Sequence, residues 1–474
     1  MTTVDEIEAI FSPRHIAVVG ASANENTPGY DYVRSLQAFG YEGAIYPVNP
    51  KAEEILGLPA FPSLRDVPGD VDYVISCIPA AAVLDLVDAC AEKKARALQL
   101  FTARFSETGR DEDADLERRL AERARAAGVR IIGPNCMGLI HPRQGITFRR
   151  DMPRAPGNIG LLSQSGNLLF ELSYFGGPRG LRFSKAISYG NGLDLTEADF
   201  LDYFGRDGES EVVGAYVEGV RDGRRFLEAL RGAAARKPVV LLKGGRTSAG
   251  GRAAASHTAA LAGQREVWDA AVAQAGGLGV DTPEDFIDTL IALSRMRPGG
   301  GRRLAMVGAG GGRSVLTADL CEELGLSVPP LPEDVERKVA EAAPDLAGWV
   351  TNPVDQSILA GSGLGGASVL EWLDESDGID LLVANVGEAW ALGRPNAESL
   401  LTRIPERFIE IGSRTGKPFA VVLGPADYSD EATWRLVTAA RDRIVEAGLA
   451  LFPSVERAVR TLARVRAYRE RRAL

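Results

Sequence analysis

The sequence predicts an α/β protein made of three consecutive doubly wound domains. The first observation is a β-branched run followed at once by small residues, which occurs three times: HIAVVGAS (15–22), NIGLLSQSGN (158–167) and LAMVGAGGGRS (304–314). The second is their spacing, because the first strand residues, Ile16, Ile159 and Leu304, lie 143 and 145 positions apart. That spacing fits one domain and is too long for a solenoid repeat. The third is the alternation of other strand-like runs with helix-period segments such as DADLERRLAERARAAG (113–128), which is typical of parallel sheets with right-handed crossovers.

Each predicted domain contains further candidate strands bounded by turn residues. They are GAIYPVNP, VDYVISCIP, ARALQLFTA and VRIIGPN in the first domain, EVVGAYVEG and KPVVLLKGG in the second, and DLLVANVGE and KPFAVVLG in the third. Two turn-rich segments, RQGITFRRDMPRAPG (143–157) and SRMRPGGGRR (294–303), lack apolar periodicity and separate the domains. We therefore expect domains at 1–145, 155–296 and 302–474.

The composition excludes several classes of protein. Of 474 residues, 45% are hydrophobic and 25% are charged, as in ordinary globular chains. The 64 acidic residues outnumber the 54 lysines and arginines, and the formal charge of −10 disfavours binding to nucleic acid or to an anionic membrane. An anionic ligand must therefore be bound by a local arrangement of donor groups, because the overall charge of the protein repels it. The Arg-rich end (457–472) is interpreted as the solvated side of a helix whose other face carries Val455, Val459 and Leu462.

The cysteines and the amino-terminal segment bear on the compartment. Cys77, Cys90, Cys136 and Cys321 lack the paired spacing of a zinc site or a redox motif, and no metal site is predicted. The start MTTVDEIEAIF has neither the basic stretch nor the apolar core of a signal peptide. No apolar run approaches the ~18 residues of a membrane-spanning helix. These observations predict a cytoplasmic protein with reduced thiols.

The first glycine turn, Gly20-Ala21-Ser22, separates a strand from a helix, where backbone N–H groups favour a phosphate. A dinucleotide-binding fold requires GxGxxG here and an acidic residue after the second strand, and neither is present. The second strand instead ends at Asn49-Pro50-Lys51. A lysine there favours a ligand with a phosphate at that point, as coenzyme A carries on its ribose, although a solvated lysine explains it equally well.

Later strands of the first domain also end in unusual residues. These ends contain Pro79, Thr102 and the segment GPNCMG with Asn135. The carboxyl ends of parallel strands meet at one edge of a sheet, where open α/β folds bind ligands. The alternative explanation is that the proline and glycine residues simply form turns in ordinary loops.

Two segments of the second domain are candidates for phosphoryl chemistry. Ser163-Gln164-Ser165-Gly166 opens a helix directly after a strand, so its N–H groups can bind an anion; a serine N-cap is the alternative. His257 lies in a tract of Gly, Ala and Ser after the strand KPVVLLKGG, which predicts a flexible loop carrying a neutral, nucleophilic imidazole; an exposed loop histidine without a role is the alternative. Glu218, at the end of the strand EVVGAYVEG, is placed to hydrogen-bond such an imidazole or to cap the next helix.

Together these motifs resemble the α subunit of the NDP-forming (ADP-forming) acyl-CoA synthetases, the acetate–CoA ligase group related to the α subunit of succinyl-CoA synthetase. The resemblance runs from residue 10 to about 356, in the strings IFSPRHIAVVGAS, YPVNPK, SETG, GPNCMGL, LSQSGN, SYGNGLDL, YVEGVRDGRRF, KPVVLLKGGR, AAASHTAALAG and NPVD. It implies a Rossmann-like CoA-binding domain followed by two flavodoxin-like domains.

The resemblance also implies roles for individual residues. Coenzyme A would be bound by Gly20, Ser22, Asn49, Lys51, Pro79, Thr102 and Asn135. Phosphate would be held by Ser163, Gln164, Ser165 and Gly166. His257 would become the phosphohistidine, and Glu218 would steady it.

The implied reaction converts an acid, CoA and ATP to acyl-CoA, ADP and phosphate, reversibly, through an acyl phosphate. No ATP-grasp module and no GxxxxGK[ST] loop occur in the chain, so ATP and Mg²⁺ are expected to be bound by a separate ATP-grasp β subunit, in an α2β2 heterotetramer. A CoA-binding regulatory protein without catalysis and a nicotinamide-dependent dehydrogenase are the alternatives. The acid is not predicted, although Tyr189, Asn191 and residues near Asn352 are candidates for contacting it.

Overall fold

The computed structural model describes residues 3–258, 264–392, 394–425 and 427–473. The strands are β1 (His15–Val19), β2 (Ala44–Val48), β3 (Glu54–Ile55), β4 (Leu58–Pro59), β5 (Tyr73–Ser76), β6 (Ala97–Leu100), β7 (Arg130–Ile132), β8 (Gly138–Ile140), β9 (Ile159–Ser163), β10 (Phe183–Ser188), β11 (Val212–Val217), β12 (Val239–Lys243), β13 (Leu278–Val280), β14 (Leu304–Ala309), β15 (Val354–Asp355), β16 (Leu381–Asn385), β17 (Phe419–Val422) and β18 (Ala450–Phe452). Every strand segment predicted from the sequence forms a strand.

The helices alternate with the strands as the sequence predicts. They are α1 (Val4–Phe11), α2 (Pro28–Phe39), α3 (Val83–Glu92), α4 (Asp111–Ala127), α5 (Gly166–Gly176), α6 (Glu197–Arg206), α7 (Gly223–Ala234), α8 (Ser248–Thr258), α9 (Arg265–Gln274), α10 (Pro283–Arg295), α11 (Gly311–Glu323), α12 (Glu333–Ala342), α13 (Gly366–Glu375), α14 (Glu388–Leu392), α15 (Ala397–Arg414), α16 (Glu431–Glu446) and α17 (Val455–Ala473). None of the described helices is both long enough and apolar enough to cross a lipid bilayer.

Three sheets share one topology. Their strand orders are β2-β1-β5-β6-β7, β13-β12-β11-β9-β10-β8 and β15-β14-β16-β17-β18. When the five parallel strands of each sheet are numbered along the chain, the order is 2-1-3-4-5 each time. The strand order reverses beside the first strand of each sheet, and ligands of doubly wound folds bind at such switch points. The predicted α/β, doubly wound fold class is confirmed.

One strand departs from the prediction of purely parallel sheets. β8 pairs antiparallel with β10, with Ile140 opposite Ala186. β8 comes from the part of the chain assigned to the first domain, yet it completes the edge of the second sheet. Its position could not be read from the sequence because a three-residue apolar run does not specify its partner.

The chain divides into two compact units. The first comprises Met1–Gly177 and Leu181–Phe286 and contains the first two sheets, and the second comprises Pro178–Gly180 and Ile287–Leu474. In the second unit, α17 buries Val455, Val459 and Leu462 as predicted. Its arginines are not simply solvated, because Arg457 pairs with the buried carboxylate of Asp288 at 2.6 Å.

Candidate active site

The carboxyl edge of the first sheet faces a cavity of about 630 Å³. Loops after β5, β6 and β7 supply most of its wall, and the start of α5 closes it from the second sheet. The described residues that line it are Pro28, Cys77, Ile78, Pro79, Ala80, Phe101, Thr102, Ala103, Arg104, Asn135, Cys136, Met137, Gln164, Gly166 and Asn167. The cavity therefore lies at the carboxyl edge of the sheet, where open α/β folds bind ligands. Of the two strands that flank the switch point, β1 and β5, the loop directly after β5 lines the cavity, together with Pro28 at the start of α2.

The two sheets of the first unit approach each other closely at this cavity. A Cβ atom on Gly166 would lie 2.6 Å from Cγ of Met137, and one on Gly190 would lie 2.2 Å from the carbonyl oxygen of Pro134. The N–H of Asn191 donates to that same carbonyl at 3.0 Å. Glycine at positions 166 and 190 is thus required by the packing of the two edges.

Three of the residues predicted to contact CoA lie in the cavity wall. Pro79, Thr102 and Asn135 follow β5, β6 and β7 in turn. The Thr102 hydroxyl donates to the carbonyl of Ile78 at 2.7 Å, and the Thr102 carbonyl accepts the N–H of Asn135 at 2.9 Å. These bonds tie the three loops into one surface.

The other predicted CoA residues lie outside this wall. Gly20 has a φ of 88° and donates its N–H to Val48, while Ser22 accepts the N–H of Asn24 at 3.0 Å. The Asn49 amide donates to the carbonyl of Ala21 at 2.7 Å and its oxygen accepts the Lys51 N–H. Asn49 therefore joins the loops after β1 and β2, and Lys51 stands exposed beside them.

The predicted phosphate segment forms the end of β9 and the start of α5. The Ser163 hydroxyl is buried and donates to the carbonyl of Ser165 at 2.6 Å. Ser165 is the N-cap of α5 and accepts the N–H of Leu168. Both hydroxyls are thus engaged within the turn, whereas the first N–H groups of α5 have no carbonyl partner within the helix. Gln164 and Gly166 are the members of this segment that reach the cavity.

Glu218 is buried directly after β11, at the switch point of the second sheet. Its backbone N–H and that of Gly219 both donate to Oε1 of Gln164, at 2.7 and 3.1 Å. The hydroxyl of Tyr216 donates to the Glu218 carboxylate at 3.1 Å. Burial and this carboxylate raise the pKa of Tyr216 above its ordinary value, so the hydroxyl remains a donor.

Lys243, the last residue of β12, has no predicted role in the site. Its ammonium group is buried and donates to the carbonyl oxygens of Glu218, at 2.5 Å, and of Gly244. Burial lowers its pKa. The lysine in the string KPVVLLKGG was the only available signal, and its spacing does not show that it contacts the Glu218 loop.

His257 lies in the last turn of α8, and its side chain is outside the described part of the structure, as are residues 259–263. The predicted flexible loop is wrong for residues 248–258, which are helical. Ala and Ser tolerate a helix well, and the Thr247 hydroxyl accepts the N–H of Gly250 at 3.1 Å and so caps it. α8 packs against the turn Ser106–Thr108 of the first sheet.

Tyr189, Asn191 and Asn352 are the remaining candidates, since the sequence predicts that they or their neighbours contact the acid. Tyr189 and Asn191 are buried, and neither the Tyr189 hydroxyl nor Oδ1 of Asn191 has a hydrogen-bond partner within the described ranges. The Asn191 amide donates to Glu107 at 2.9 Å. In the second unit, the Asn352 side chain bonds the backbone of Leu304 and Met306.

Comparison with known proteins defines the family. Two sequence-family models match: a CoA binding domain at residues 14–142 and a succinyl-CoA ligase like flavodoxin domain at residues 156–293. An ADP-forming acetate–CoA ligase II alpha subunit of Pyrococcus furiosus is 36% identical over 378 residues, which cover 80% of this chain and 82% of that protein. The chain belongs to the ADP-forming acetate–CoA ligase family. The resemblance found in the sequence is confirmed.

Other relatives extend this comparison. The ADP-forming acetate–CoA ligase I of Archaeoglobus fulgidus is 37% identical over 80% of this chain, and this chain spans only 54% of that relative. A structure of the dinucleotide forming acetyl-coenzyme A synthetase 1 of Candidatus Korarchaeum cryptofilum, in complex with phosphate and ADP, superimposes with a TM-score of 0.82 at 29% identity. That match covers 98% of this chain and 97% of the other.

Across the described residues, no group of three or more His, Cys, Asp and Glu side chains is arranged to hold a metal ion.

Proposed function

We propose that this chain is the α subunit of an ADP-forming acyl-CoA synthetase, converting an acid, CoA and ATP to acyl-CoA, ADP and phosphate. The observation that carries the proposal is the cavity in which the ends of β5, β6 and β7 meet the start of α5. It brings a predicted CoA surface and a predicted phosphate segment into one space. An acyl group can therefore pass between phosphate and the CoA thiol inside a single cavity.

The chemistry requires activation of the acid, because a carboxylate is a poor electrophile. An imidazole nitrogen of His257 attacks the terminal phosphorus of ATP, forming a P–N bond as the P–O bond to ADP breaks. An oxygen of the acid then takes the phosphoryl group and frees the imidazole. The CoA thiolate attacks the acyl carbon, the C–O bond breaks, and phosphate leaves.

Glu218 supports this role for His257 through its fixed position. Its peptide N–H is held by Gln164 and its carboxylate by Tyr216. A carboxylate that accepts a hydrogen bond from one imidazole nitrogen keeps the other nitrogen nucleophilic, and it stabilises the charged phosphohistidine. Gln164 thereby links the proposed phosphate segment to the residue that orients the histidine.

The nucleotide and Mg²⁺ are assigned to a separate subunit. The Pyrococcus relative is named as an alpha subunit, which supports a partner, and we propose an ATP-grasp β subunit in an α2β2 heterotetramer. Because CoA and ATP are used together, we place the reaction in the cytoplasm.

The proposal is tested in the reverse direction, which needs no nucleotide. The full chain is incubated with acetyl-CoA and ³²P-labelled phosphate, and we expect acid-labile, base-stable label on His257. His257→Asn should abolish the label, whereas His15→Asn should retain it. Label that persists in His257→Asn would exclude a phosphohistidine at this position. Its absence from the wild type would favour a CoA-binding protein without catalysis.

Together with its partner, the chain should release ADP and phosphate from ATP, CoA and acetate. Formation of AMP and pyrophosphate instead would indicate another class of ligase. Reduction of NAD by the chain would support the dehydrogenase alternative.

A further inference from the structure

Arg104 is the only charged residue among the described residues that line the cavity. It follows β6 and stands exposed at the rim. Within the described ranges its guanidinium forms no hydrogen bond or ion pair. The nearby Asp113 carboxylate accepts hydrogen bonds from the Thr108 hydroxyl and from Arg110, which lower its pKa, and the charge of Arg104 contributes to that lowering from farther away. In a chain of charge −10, the part of the cavity wall that the structure describes thus carries a single positive group on an otherwise neutral lining.

The backbone holds Arg104 in an unfavourable conformation. Its φ is 76°, in the left-handed region that glycine adopts easily and a long side chain does not. The carboxylate of Glu107 fixes this turn by accepting the N–H of Arg104 at 2.7 Å and that of Phe105 at 3.1 Å. Glycine would satisfy the same backbone without strain, so the arginine side chain at this point needs another explanation.

The position of Arg104 along the sheet edge indicates which phosphate group it can contact. Lys51, predicted to meet the ribose phosphate of CoA, follows β2, which lies three strand spacings from β6 in the order β2-β1-β5-β6. At about 4.8 Å per strand this is ~14 Å. Arg104 instead shares the cavity wall with Gly166 and Asn167, the first two residues of α5.

We propose that Arg104 binds the phosphoryl group of the acyl phosphate, together with the N–H groups at the start of α5, and so determines the affinity of the site for phosphate. The inference rests on the proposed function. A guanidinium matches the geometry of phosphate oxygens and forms charge-assisted hydrogen bonds with them. When the CoA thiolate attacks the acyl carbon, the C–S bond forms, the C–O bond breaks, and Arg104 stabilises the phosphate that departs with the electron pair.

The test compares the full chain with its Arg104→Gly variant in four measurements: the binding of phosphate, of acetyl phosphate and of CoA, and the melting temperature. Arg104→Gly should weaken the binding of inorganic phosphate and of acetyl phosphate about tenfold in calorimetric titrations. The affinity for CoA should stay within about twofold. The melting temperature should rise by about 2 °C, because the strained turn is relieved.

Two further variants separate charge from strain. Arg104→Lys keeps the charge and should retain phosphate binding within about threefold. Lys94→Gly is the matched control, because Lys94 also has a positive φ, of 55°, carries the same charge and is not among the described residues that line the cavity. Its ammonium group pairs with the exposed carboxylate of Asp70 at 3.1 Å, a surface pair that contributes little to stability. Lys94→Gly should raise the melting temperature without changing phosphate binding.

The possible results are distinct. Unchanged phosphate and acetyl phosphate affinities in Arg104→Gly would overturn the inference, and so would an equal loss of CoA affinity, which would assign the arginine to CoA. Binding of inorganic phosphate but not acetyl phosphate would exclude the acyl phosphate as the ligand. If Arg104→Gly still acquires ³²P label on His257 with unchanged phosphate dependence, the inference fails while the proposed function stands.

Discussion

Gln164 and Glu218 are joined by a side chain to main chain hydrogen bond of 2.7 Å, in which the amide oxygen of Gln164 accepts the N–H of Glu218. The same oxygen accepts the N–H of Gly219. Because these residues follow β9 and β11 on the two sides of a switch point, the bonds fix the spacing of the two loops. The side-chain oxygen of Gln164 is therefore occupied by two backbone N–H groups. The amide nitrogen of Gln164 remains to contact a phosphoryl group.

Replacing Gln164 by alanine should separate these loops. Two buried N–H groups lose their acceptor, so we expect the free energy of unfolding to fall by about 2 kcal/mol and the labelling rate of His257 to fall more than tenfold. Chemical denaturation and ³²P labelling measure the two effects. Gln274→Ala, on the exposed side of α9, should change neither. A Gln164→Ala chain with normal labelling would show that the link is dispensable.

Tyr216 should influence Glu218 through its hydroxyl. Tyr216→Phe removes the donor 3.1 Å from the carboxylate, so the charged carboxylate is less stabilised. We expect labelling of His257 to fall threefold to tenfold and the acidic limb of its pH profile to move to higher pH. The profile is measured from pH 5 to 9. Tyr174→Phe, an exposed residue of α5, serves as the control, and a uniform loss at every pH would count against this role.

Glu197 should make stability depend on pH. Burial raises the pKa of this carboxyl from 4.5 to about 7. The folded state therefore binds a proton more tightly than the unfolded state, and the free energy of unfolding should fall as the pH rises from 4.5 to above 7, by up to about 3 kcal/mol.

Denaturation of Glu197→Gln between pH 5 and 8 tests this. The variant should lose that part of the pH dependence and be more stable than the wild type at pH 8. Glu228→Gln, on the exposed face of α7, should behave as the wild type does. An unchanged slope in Glu197→Gln would mean that other groups cause it.

Asp288 should be essential to the second unit. Its buried carboxylate pairs with Arg457, at 2.6 and 2.9 Å, and with Arg179. Asp288→Asn leaves two guanidinium groups without a counter-charge, and we expect the free energy of unfolding to fall by about 3 kcal/mol. Thermal denaturation measures this, with the exposed Asp377→Asn as control. If the free energy of unfolding falls by less than about 1 kcal/mol, water solvates the two guanidinium groups in place of the carboxylate.

The local sequence was sufficient for the strands that it predicted and for the family, whereas β10, β13, β15 and β18 were not predicted. The runs around Ile16, Ile159 and Leu304 are short, apolar and followed by glycine, and each forms the first parallel strand of a sheet. Helix α8 was missed because glycines 250 and 251 weaken the helical pattern, while the cap from Thr247 depends on the folded turn. The pairing of β8 with β10 was missed because strand partners are set by the whole sheet.

Within the site, the sequence by itself determined which residues stand at the ends of which strands, since the strand period and the glycine turns are local properties. Only the tertiary structure decided which of them share a cavity. Asn49 and Gln164 turn their oxygens to neighbouring backbone N–H groups, and Arg104 reaches the cavity through a turn held by Glu107. The physical reason is competition: a polar side chain is available to a ligand only where no buried backbone group has already taken its hydrogen bonds.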